Sequence, residues 1–149
     1  MIGFFEHQFL SYKKNHIKNL LALAKADGFV HEKEIEVINK IGKKYGLKER
    51  QVSELIKSEE KFVLNIPNNY HDKMNLLYDL ILVMLADGVI EKNEVSFIED
   101  VVTEFGMKKE IVKWLIDEVF DKKVFPTGDD WTEITEMAEE KFSKKARSK

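Results

Sequence analysis

The chain has 149 residues, the size of one domain and short for two, since domains usually run to about 100–200 residues. Hydrophobic residues make up 44% and charged residues 34%. That is a globular mixture, and the absence of cysteine excludes a disulfide scaffold, a thiolate zinc site and a Cys nucleophile. With 24 Lys+Arg against 27 Asp+Glu the formal net charge is −3, far from the strong positive charge of a typical nucleic-acid binder.

In chain order, Met1-Ile2-Gly3-Phe4-Phe5-Glu6-His7 lacks a basic segment and breaks its apolar run at Glu6, so no signal peptide is expected. Phe4, Phe5, Phe9 and Leu10 predict an apolar-faced N-terminal helix, continuous with a first helix ending near Ala26. A second helix is predicted over 35–45 with Gly46 as its stop, and a third over 52–56. Ile66-Pro67-Asn68-Asn69 reads as a linker, because Pro and Asn favour turns. The longest apolar stretch, 76–86, has Asp79 inside it and is too short to cross a bilayer, which needs about 20 residues. It reads as a buried helix.

Val95, Ile98, Val101, Val102 and Phe105 then form a helical stripe stopped by Gly106. Ile111, Val112, Leu115, Ile116 and Val119 mark the next helix. Pro126-Thr127-Gly128-Asp129 is a second break. After it Asp130 and Glu133 read as a capping box for a last helix of about residues 130–145, with Trp131, Ile134, Met137, Ala138 and Phe142 turned inward. Residues 141–149 form a basic tail. The expected fold is all-α, a single domain over 1–149 with seven or eight helices, no membrane insertion and a cytoplasmic location.

Sliding the sequence by 60 positions aligns 20–56 with 80–116 without a gap. Ala26-Asp27-Gly28 falls on Ala86-Asp87-Gly88, Glu34 on Glu94, Ile38 on Ile98, Gly46 on Gly106, and Leu55-Ile56 on Leu115-Ile116. The other substitutions are mostly apolar for apolar, as at Val30/Ile90 and Tyr45/Phe105. The reading is a duplication of a three-helix unit. Repeat 1 covers about residues 16–57, the linker about 58–70 and repeat 2 about 71–119.

The repeated motif Ala-Asp-Gly-x-[Val/Ile]-x-x-x-Glu invites an EF-hand reading, with Asp, Gly, the aliphatic residue and Glu at loop positions 5, 6, 8 and 12. Positions 1 and 3 would then be Leu23 and Lys25, or Val83 and Leu85. A calcium loop cannot lose both oxygen ligands, so the EF-hand is rejected. An apolar helix ending in Ala-Asp-Gly, a Glu seven residues after the Asp, and Tyr/Phe-Gly-[Leu/Met] before the next helix resemble the TerB-like family. That family includes the tellurite-resistance protein TerB and the N-terminal region of membrane-anchored DnaJ-like co-chaperones. The resemblance covers about Phe9 to Val119. It implies an all-helical fold with an internal duplication, and it implies that Asp27, Glu34, Asp87 and Glu94 contribute to an acidic surface for a metal or a partner. The chain has no His-Pro-Asp motif and no transmembrane segment, so a co-chaperone role is not carried over, nor is tellurite resistance itself.

Two readings compete for these acids. In the first, Asp and Glu cap the following helix, Gly28 and Gly88 supplying a positive φ. In the second, Asp27, His31 and Glu34 hold a divalent metal, and Asp87, Glu91 and Glu94 do so in the other copy. An all-oxygen set suits Ca, Mg or Mn, and a set with His also admits Zn or Ni. His31-Glu32-Lys33-Glu34-Ile35 begins like a metalloprotease HExxH but has Ile35 in place of the second His. Without a P-loop, nucleophile elbow or dinucleotide fingerprint, no enzyme is expected.

The run from Lys43 to Arg50 could pass for a helix-turn-helix presenting Arg50, Gln51, Ser53 and Lys57 to a major groove. The matched helix, however, carries Glu110, Trp114, Asp117 and Glu118, which would repel phosphates. Trp114 stands where the first copy has Glu54, and it is expected to face the last helix or a partner. The expected function is a non-enzymatic binding or scaffold domain in a stress response. Its partner surface would include Asp27, Glu34, Asp87, Glu94 and Trp114. Metal binding or sensing is the alternative, and nucleic-acid binding comes third.

Overall fold

The computed structural model describes residues 2–25, 30–58, 64–86, 88–120, 126 and 128–143. Among them the structure is helical, with seven α-helices: α1 (Ile2–Ala24), α2 (Glu32–Lys44), α3 (Glu49–Lys57), α4 (Tyr70–Met84), α5 (Lys92–Glu104), α6 (Glu110–Trp114) and α7 (Gly128–Phe142). A π-helical turn, Leu115–Val119, continues α6, and the only extended pairing among the described residues is one antiparallel bridge between Met107 and Ser143. No described helix is long and apolar enough to cross a membrane.

The N-terminal segment and the first predicted helix are one 23-residue helix. The apolar face expected from Phe4, Phe5, Phe9 and Leu10 lies outside the described side chains. α2 and α5 are both 13 residues long and start at positions offset by the 60 residues of the sequence match. Both are followed by a glycine in the left-handed region, Gly46 at φ 86° and Gly106 at φ 88°. Those conformations strain any L side chain, which is why the helices stop there.

The chain groups into two compact units, Met1–Asn65 with Tyr78–Glu94, and Ile66–Leu77 with Val95–Lys149. One boundary, between Asn65 and Ile66, falls in the linker at 58–70, and the other two fall inside α4 and α5. In the first unit α1, α2 and α3 contact one another. Ile17, Leu20, Leu21, Leu23 and Ala24 of α1, Ile38 and Ile41 of α2, Val52 of α3, and Leu80, Ile81, Val83 and Met84 of α4 are all buried. Burying one such aliphatic side chain is worth about 1.5–3 kcal/mol. At Gly42 α2 and α3 come close together, and a Cβ there would stand 2.6 Å from Val52 Cγ2. Linker residue Asn65 is tied to α1 through both sides of one amide. Asn19 Nδ2 donates to the Asn65 carbonyl at 2.8 Å, and Asn19 Oδ1 accepts from its N–H at 2.8 Å.

In the second unit Asn69 caps α4. Its Oδ1 accepts from the Asp72 N–H at 2.8 Å, satisfying a donor the helix cannot. Tyr70 Oη donates to the Thr135 carbonyl of α7 at 2.7 Å, and the Lys108 N–H donates to the Phe142 carbonyl at 2.8 Å. Trp131 lies edge-on to Phe120, with ring centroids 6.3 Å apart.

Two expectations for the last helix are corrected. The helix begins at Gly128, so Asp130 sits inside its first turn and does not cap it. Met137 is 46% exposed, because the inward face of α7 is carried by Trp131 and Ala138. The tail from residue 144 lies outside the described residues.

Candidate functional site

The motif that carries the resemblance is built around the start of α2. His31 precedes the helix with extended backbone, φ −72° and ψ 147°. Its N–H donates to Glu34 Oε1 at 2.9 Å. A helix leaves its first N–H groups without partners, and a Glu at the third helical position reaches back to the residue before the helix. Glu34 is 1% exposed and Glu94, at the same position of α5, is 2% exposed. The α3 start uses the same device with a neutral amide: the Lys48 N–H donates to Gln51 Oε1 at 2.8 Å. The positive end of each helix dipole favours a carboxylate there.

Asp27 and Asp87, the remaining acids of the two motifs, lie outside the described residues. Glu91 is half-buried just ahead of α5. Among the described residues no three His, Asp or Glu side chains gather closely enough to hold a metal ion. Gly88 takes φ 78° with open space where a Cβ would be. The two residues after it, Val89 and Ile90, are 55% and 48% exposed. The residues of the helix-turn-helix reading divide: Arg50 and Lys57 are exposed, Ser53 is half-buried, and Gln51 is engaged as a cap. Trp114 faces the last helix, its ring 5.4 Å from that of Phe142, with Lys141 Nζ 6.0 Å from the indole centroid.

One polar cluster was not read from the sequence. His16 Nε2 and Asp79 Oδ2 are 2.7 Å apart, and both residues are buried. Tyr45 Oη donates to the same Asp79 oxygen at 3.2 Å, and the His16 and Tyr45 rings lie 4.6 Å apart. The sequence signal was Asp79 itself, an acid within an apolar helical run, which must find a partner if buried. Its partner lies 63 residues away, so periodicity could not name it. In the second unit, burial pushes the Tyr70 phenol well above its ordinary 10.0, and the Glu139 carboxylate adds to the rise. Tyr78 is raised for the same first reason, with Asp79 contributing.

Comparison of the chain with protein-family models, curated proteins and solved structures finds no match.

Proposed function

We propose that the protein is a non-enzymatic helical binding module of TerB-like type, docking a protein partner through the two Asp-Gly loops, 26–31 and 86–91. The observation that carries this reading is the pair Val89 and Ile90, the most exposed large aliphatic residues among those described. They are adjacent, and they lead into a helix whose third residue, Glu94, is buried. Apolar side chains left in water gain free energy when a partner covers them, about 0.8 kcal/mol for each CH₂ buried. The hydrogen bond from the His31 N–H to Glu34 supports a capping role for that carboxylate, and Glu94, buried at the matching position of α5, is read as its counterpart. The acidic character of the docking face then rests on Asp27 and Asp87. Trp114, packed on Phe142, serves the fold in this reading.

The test is Val89→Ser/Ile90→Ser in the full chain. The variant should melt close to the wild type, because both side chains are largely in water, and should no longer retain the proteins that wild type retains from its native cell extract. An unchanged retained set would remove the loop from the docking face. A parallel melt of chelator-stripped protein against Ca, Mg, Mn, Zn and Ni separates the metal reading. A ligand that binds only the native state at one hundred times its Kd stabilises by about 2.7 kcal/mol. A rise with one metal that Asp87→Asn abolishes would make these loops metal sites instead.

A further inference from the structure

Between α2 and the start of α3 lies a cleft of about 660 Å³, lined by residues that include Glu36, Asn39, Lys40, Lys43, Lys48 and Glu49. We propose that this cleft binds a phosphorylated small molecule of nucleoside-phosphate size that carries amino or hydroxyl donors. The inference is independent of the docking loops.

Three features of the cleft carry it. First, Lys40, Lys43 and Lys48 bring three ammonium groups to one concavity. Lys40 and Lys43 share a face of α2, as residues three apart do, and Lys48 immediately precedes α3. No ion pair or hydrogen bond engages these three side chains among the described residues. A lysine ammonium is a compact point charge suited to phosphate. A phosphomonoester carries about −1.5 to −2 charges near neutral pH, and it would set them against these three cations beside the two carboxylates of the lining, Glu36 and Glu49.

Second, Asn39 Oδ1 is buried without a hydrogen-bond partner, in a residue that lines the cleft. Buried polar atoms in native proteins are nearly always paired, and this oxygen, closed to solvent as it stands, gains an N–H or O–H donor if the Asn39 amide turns toward a ligand in the cleft. Third, Glu36 and Glu49 are also in the lining. They would repel the successive phosphates of a nucleic-acid strand, yet they can accept hydrogen bonds from the amino or hydroxyl groups of a small ligand. The volume lies within the range of about 300–1,000 Å³ common for small-molecule sites.

The experiment is calorimetric titration of the full chain with a panel of nucleoside mono- and diphosphates, with inorganic phosphate alone, and with a short DNA duplex. Amide NMR shifts would locate each binding event. At least one nucleoside phosphate should bind saturably and move amides of α2 and the α3 start. Lys40→Gln/Lys43→Gln, both on the exposed face of α2, should weaken that binding by about tenfold or more with an unchanged circular dichroism spectrum. Asn39→Leu should weaken it as well while leaving the melting temperature level or higher, since it removes an unpaired buried oxygen. Absence of saturable binding across the panel would overturn the proposal. So would affinity that ignores the lysine pair, or inorganic phosphate binding as tightly as every nucleoside phosphate. Preference for the duplex with a steep salt dependence would replace it with a nucleic-acid surface.

Discussion

Asp79 stands within the most apolar stretch of the chain, and one of its oxygens is the acceptor shared by His16 and Tyr45. A buried polar group that loses its partner keeps its desolvation cost, about 1–3 kcal/mol. Asp79→Ala is therefore expected to destabilise by at least that much in a urea melt. The double variant His16→Leu/Asp79→Leu should recover part of the loss, because apolar residues of similar volume often replace a buried polar pair at little cost. A single variant no worse than the double would mean that the cluster holds α1 and α4 no better than packing does. Tyr70 yields a pH prediction. Its folded pKa is raised, so the stability it contributes is complete below the unfolded value of 10.0 and is lost as pH rises through the folded value. Stability of the wild type should fall as pH rises above about 10. Tyr70→Phe should lower stability at neutral pH by about 0.5–1.5 kcal/mol, the loss of one hydrogen bond, and should flatten the alkaline fall. Tyr78, also raised, keeps the remaining slope from vanishing. Equal alkaline slopes in the two proteins would refute the assignment.

The helix starts form a series of like devices, with Glu34 at α2, Gln51 at α3 and Asn69 at α4. Gln51 demonstrates that an amide oxygen serves this geometry as well as a carboxylate. Glu34→Gln should accordingly be tolerated, whereas Glu34→Ala should cost about 0.5–2 kcal/mol, measured by chemical denaturation. If Glu34→Ala is neutral to folding but abolishes a metal response, Glu34 is a ligand and not a cap. Of these, only the capping role of Glu34 was read from the sequence; Gln51 and Asn69 follow the same rule of residue type at a spacing of three. Less legible was α7, whose start moved to Gly128 and whose inward face excluded Met137. The capping-box pattern at Asp130 and Glu133 matched a rule of spacing, but the backbone had already entered the helix two residues earlier.

Neither compact unit is a continuous piece of chain. The first takes residues 1–65 together with 78–94. Expressed alone, 1–65 would lack Asp79 and the buried Leu80, Ile81, Val83 and Met84, leaving His16 and Tyr45 without their acceptor. It should show weak helical dichroism and no cooperative melt. A cooperative transition in that fragment would show that the first repeat is self-sufficient. The 60-residue match of the sequence pairs α2 with α5, while the grouping into packed units divides α4 between Leu77 and Tyr78 and α5 between Glu94 and Val95.

Local information was enough for the all-α class, the stops at Gly46 and Gly106 and the capping Glu34. Each depends on a handful of neighbouring residues and on one helical period. Three features needed the folded chain. The His16–Asp79–Tyr45 cluster joins residues far apart in sequence. The division into units cuts across two helices. The Asn39 cleft arises where α2 turns into α3 and leaves an amide oxygen without a partner. Hydrophobic periodicity says which face of a helix is buried, but not which distant face covers it, and the pairing of buried polar atoms is decided only when that choice is made.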